Sequence, residues 1–143
     1  MFGFAKDIQL LIGRIFIAAV FIYDGFVLFH NGPGGPNGGL AYVQNHGMPG
    51  WTWYLALLLE LGGGALIVAG FFTRWVAAIF FVFCMMTAFF FQNPWTIAQA
   101  VDFSKAATAI AFGKDIGLAG GWLFLMAAGA GGFSLDKAIR GTA

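Results

Sequence analysis

The chain has 143 residues, of which 60% are hydrophobic and only 9% charged, with a mean hydropathy of +0.84. A soluble domain carries about a quarter charged residues, so this composition defines a membrane protein of one transmembrane domain spanning 1–143, with no room for a second soluble unit. The formal net charge of +1 supplies no basic field, and no Lys/Arg cluster neutralises a row of phosphates, which excludes nucleic acid as a partner. Cys84 is the single cysteine, so neither an intramolecular disulfide nor an internal CxxC pair can form; it reads as a small core residue.

The N-terminal stretch "MFGFAKDIQLLIGRIFIAAVFIYDG" has an apolar run longer than the core of a signal peptide and no small-x-small cleavage site, so it predicts a retained first helix. Polar and Gly/Pro punctuation then marks four apolar segments, about 8–29, 51–72, 75–91 and 115–130, each near bilayer length. Lipid offers the backbone no hydrogen bonds, and runs of this length are too long for barrel strands, so all four are expected to be α-helices. The predicted fold is an all-α integral membrane protein, a four-transmembrane-helix bundle.

After the first span, "NGPGGPNGGLAYVQNHGMPG" opens with seven Gly or Pro among nine residues and is expected to be irregular loop. "FFTR" joins the second and third spans as a tight hairpin. Between the third and fourth, "QNPWTIAQAVDFSKAATAIAFGK" mixes Trp95, Ile97, Val101 and Phe103 with Gln99, Asp102 and Lys105, the pattern of an interfacial amphipathic helix. Lys6, Arg14, Arg74, Lys137 and Arg140 fall on the side of the termini, against Lys105 and Lys114 opposite, so the positive-inside rule places both termini in the cytoplasm.

Arg14, Asp24 and Glu60 lie within spans, where an ionised group costs about 2.5–3.5 kcal/mol at the bilayer centre. At about 1.5 Å per residue, Asp24 and Glu60 sit roughly 9 and 13 Å below the outer ends of their helices, and Arg14 about 9 Å above its inner end. Two readings follow. Arg14, Tyr23, Asp24 and Glu60 line a polar pocket for a quinone headgroup, a proton or a small polar ligand, or Arg14 and Glu60 form a structural ion pair that fixes helix register while Asp24 is wetted from outside. Gly62, Gly63 and Gly64, with Gly117 and Gly121 in GxxxG spacing, are expected to close-pack helices. His30 and His46 flank the outer loop as weak metal candidates, but their spacing fits no ligand motif, and they read as ordinary loop histidines.

Beyond these single features, "LLIGRIFIAAVFIYDG", "GMPG", "LELGGGALIVAGFFTR" and "KDIGLAGGWLFLMAAGAGGFSLD" together resemble the DoxX family of small bacterial and archaeal membrane proteins over nearly the whole chain. The buried acid, glycine run and arginine stop at fixed spacing, Glu60 to Arg74, carry most of that resemblance. Where the family commonly has a His before the glycine of the first helix and a Lys shortly after, this sequence has Asp24 before Gly25, then Leu28 or Phe29. The resemblance implies a four-helix fold in the cytoplasmic membrane and a role as an accessory subunit of a redox or electron-transfer complex. Other membrane subunits or a second copy of the chain, together with membrane lipids, are the implied partners. A quinone-interacting subunit of the thiosulfate:quinone oxidoreductase type is the alternative, and a small transporter the second. No self-sufficient catalytic set accompanies the buried charges, and no cofactor is firmly implied beyond a quinone.

Overall fold

The computed structural model describes residues 2–35, 38–92 and 103–140, and these are helical nearly throughout. Helix α1 runs Phe2–Asn31, and a short α2, Gly39–Asn45, follows in the loop. The second span comprises α3, Trp51–Leu58, a π-turn, Leu59–Gly63, and α4, Gly64–Ala69. Helices α5, Thr73–Phe91, and α6, Phe103–Ala128, form the third and fourth spans, and α7, Leu135–Arg140, lies beyond them. Four of these stretches are long and apolar enough to cross a membrane: Gly3–Asn31, Trp51–Ala69, Thr73–Phe91 and Ala106–Ala128.

The boundaries differ from the sequence reading most at three places, while the first span runs further at both ends, Phe2–Asn31, and the third begins two residues earlier, at Thr73. The second span stops at Ala69 because Gly70 turns left-handed at φ +71° and Phe72 follows at φ +49°, so Phe71 and Phe72 form the turn rather than the helix end. The loop after α1 is not irregular throughout, since Gly39–Asn45 coils into α2 once the Gly/Pro-rich part is past. The fourth span begins well before Asp115, because "ATAIAF" continues the helix upstream and places Asp115 inside it. Most of the expected interfacial helix falls on 93–102, outside the described residues, and its end from Phe103 belongs to α6.

The bundle consists of two packed pairs. Helix α5 lies along α6, and α1 lies along α4 and the π-turn. Ala18 and Phe21 of α1, Ile67 of α4, Ala77, Phe80 and Cys84 of α5, and Ala119, Trp122 and Leu125 of α6 form the buried centre. There Phe80 stacks on Trp122 at 4.5 Å and 8°, while Phe21 tilts against both at 4.7 and 5.4 Å. The large apolar residues left outside, such as Phe16, Leu58 and Phe124, face what a bilayer would supply.

Only some of the glycines mediate close approach. A Cβ at Gly64 would lie 2.6 Å from Ile22 Cγ1, at Gly63 3.0 Å from the Phe80 ring, and at Gly121 3.1 Å from Ile17 Cδ1, so each lets a neighbouring helix seat itself. Gly62 would meet only Leu58 at 3.8 Å, and Gly117 nothing within 4 Å, so packing does not require glycine at either position. A further close approach, not singled out in the sequence, is at Gly25, where a Cβ would lie 2.8 Å from Leu61 and 3.1 Å from Glu60 Cβ. Gly117→Ala is therefore expected to stabilise the protein by about 0.5–1 kcal/mol through helix propensity. Gly64→Ala is expected to destabilise it by about 1–3 kcal/mol through overpacking. Unfolding midpoints measured in one detergent distinguish the two.

Candidate functional site

Two polar regions occupy opposite ends of the bundle. The proximal end carries the chain termini, and the distal end carries α2.

At the proximal end, Arg14 is completely buried, and its Nη2 donates to the Phe133 carbonyl at 2.5 Å. Its Nε and Nη1 have no hydrogen-bond partner among the described residues, and the opposite charge acting on it is Asp136. The Asp136 carboxylate accepts from the Phe72 and Thr73 amides at 2.8 and 3.0 Å, which caps the start of α5, while its own amide donates to the Gly70 carbonyl at 2.9 Å. Asp7 accepts from the Gly132 amide at 2.6 Å. These bonds tie α1, the α4–α5 turn and the segment after α6 into one knot.

Arg14 and Glu60 therefore do not pair. Asp24 is ten positions beyond Arg14 on α1, about 15 Å of helical rise, and the Gly25 contact holds Glu60 near Asp24's level. Arg14 instead finds a carbonyl and a carboxylate within reach at its own end. Its placement supports a structural role, with partners other than the one expected.

At the distal end, Glu60 sits on the π-turn with 6% of its surface exposed, and its Oε2 has no hydrogen-bond partner among the described residues. A π-turn inserts a residue into the helical ladder and re-aims the side chains around it, and such turns are frequent at functional sites. Gly25 lets α1 lie directly on this turn, and the charge acting on Glu60 is Asp24. Asp24 also senses Asp115 of α6, whose Oδ2 accepts from Thr87 Oγ1 and Gln92 Nε2, both at 2.9 Å. Cys84 lies buried beside Trp122 and within the field of both Asp115 and Glu60. Ionisable groups buried within membrane spans are costly and mark ligand or proton sites.

Tyr23 is 69% exposed and points out of the bundle, so the structure does not bring it to Glu60. His30 lies in the last turn of α1 at the surface. His46 Nδ1 lies 2.8 Å from the Tyr42 carbonyl, and its ring packs with Tyr42 and Phe91 at 4.7 and 4.9 Å, an aromatic cover at the distal end. Burial pushes the Tyr42 hydroxyl above its ordinary value, and Asp115 adds to the effect. Among the described residues, no three His, Cys, Asp or Glu side chains converge for a metal ion. Asp115, Thr87 and Gln92 are the site residues that sequence reasoning missed. The apolar run before Asp115 was the available signal that this acid is also intramembrane.

Four apolar helices packed as one bundle, with a carboxylate buried in a π-turn of the second, define an all-α integral membrane protein. The chain belongs to the DoxX family, whose model matches residues 9–93. It is similar to the inner membrane protein YqjF of Escherichia coli K12, 31% identical over 94% of this chain and 95% of that one. It is also similar to the inner membrane protein YphA of the same organism, 34% identical over 95% of this chain and 94% of that one. No solved structure matches the chain.

Proposed function

We propose that the protein is an accessory membrane subunit of a redox or electron-transfer assembly in the cytoplasmic membrane, with both termini inside, and that Glu60 engages a quinone headgroup. The observation that carries this reading is the buried Glu60 carboxyl, with an oxygen that has no hydrogen-bond partner among the described residues, set in a π-turn near Asp24. A buried acid without a partner is costly in a membrane, and such residues mark ligand or proton sites. The chemistry of the donor fits the group: a protonated Glu60 can donate to a quinone carbonyl through the oxygen that has no partner among the described residues. When bound, a quinone supplies the electron chemistry. Glu60 orients it and holds or releases a proton at its carboxyl oxygen. The inner membrane location of YqjF and YphA supports the compartment.

Glu60→Gln keeps the shape and removes the exchangeable proton. Quinone-linked electron transfer in native membranes is expected to fall by about 10²-fold or more, the scale of a lost acid–base group, while native electrophoresis shows the assembly intact. Disassembly without a kinetic defect would identify Glu60 as structural. Native mass spectrometry finding no heteromeric partner would end the subunit reading.

A further inference from the structure

The proximal end carries a second feature that the Glu60 site does not use. A cavity of about 520 Å³ lies between the α4–α5 turn and the segment joining α6 to α7, lined among others by Phe72, Arg74, Trp75, Ser134 and Lys137. We propose that it binds the headgroup of an anionic phospholipid.

The charge arrangement selects an anion. Asp136 also borders the cavity, but its two oxygens are held by the Phe72 and Thr73 amides, and its charge faces Arg14. Among the described residues, no hydrogen bond or ion pair engages the side chain of Arg74 or Lys137, so two cations line the cavity with their charge uncommitted. Gly129 runs left-handed beside Arg74, where a Cβ would lie 3.2 Å from Nε, so the loop closes on the side of the guanidinium.

The surroundings select a lipid over a free anion. Phe72, Trp75 and Ile139 border the cavity and are strongly exposed, at the end of spans whose outer surfaces are apolar. Acyl chains running down those surfaces would bring a phosphate to the level of Arg74, and basic pockets between spans at the cytoplasmic face are the known chemistry for anionic headgroups. The charge bias of the sequence assigns this end to that face.

The test is native mass spectrometry of the detergent-solubilised protein titrated with phosphatidylglycerol and with phosphatidylcholine. The wild type is expected to prefer phosphatidylglycerol. Arg74→Gln with Lys137→Gln is expected to lower that preference by roughly thirtyfold, the effect of two interfacial cations, whereas Arg74→Lys with Lys137→Arg retains it. Lys137→Gln alone, on the exposed α7, is expected to lower it by about fivefold and serves if the double variant does not fold. An unchanged preference in either Gln variant overturns the proposal. So does displacement of the lipid by millimolar inorganic phosphate, which would make the cavity a free-anion site.

Discussion

Asp136→Ala is expected to destabilise the bundle by about 3 kcal/mol. The substitution orphans the Phe72 and Thr73 amides at the start of α5, and loss of an N-terminal cap accounts for about 1–2 kcal/mol. It also removes the opposite charge acting on Arg14, which is completely buried and makes a single hydrogen bond. Leaving a buried charge uncompensated is among the most damaging single changes, although the half-exposed position of Asp136 moderates it here. Asp136→Asn keeps one acceptor and loses the charge, so it should fall between wild type and Ala. Reversible unfolding in mixed micelles gives the three stabilities. Equal stability of Ala and wild type would mean that the knot holds nothing together.

The second large effect is expected at Gly70. Its φ of +71° costs an L-residue about 1–2 kcal/mol, and a Cβ there would collide with Nη1 of Arg14. Arg14 cannot retreat without breaking its bond to Phe133, so Gly70→Ala is expected to cost about 3–4 kcal/mol in total. Gly32 separates the two contributions. It has a similar φ of +66° with nothing within 4 Å, so Gly32→Ala should show the backbone strain alone. If the two variants unfold alike, Arg14 is not clamped against the turn.

The four spans were legible because hydropathy depends on composition over a window and not on any partner. Depth counting along the helices set Asp24 and Glu60 near one another, and the Gly25 contact with Glu60 Cβ brings them together. The same counting misassigned Arg14, since it ranks partners only by depth on neighbouring helices. The acceptor that Arg14 uses is 119 residues away, and the Asp7 contact with Gly132 spans 125. No local pattern encodes pairings at that separation. The π-turn was hidden for another reason: "LELGG" satisfies helix and π-turn alike, and its two glycines read as a packing surface, although only Gly63 serves as one. Asp115 was lost to a boundary placed too late, which turned an intramembrane acid into a helix end.

The proximal knot also sets an order of events during synthesis. Arg14 enters the bilayer with the first span, long before the ribosome has made Phe133 and Asp136, so the nascent first helix carries its guanidinium without the groups that later receive it. The α4–α5 turn waits in the same way for the carboxylate that caps it. Insertion can proceed span by span, but closure is gated by the segment following the fourth. A chain ending just after α6 would hold all four spans and still present an unanswered cation inside the membrane, a signature by which quality control could tell an unfinished product from a finished one.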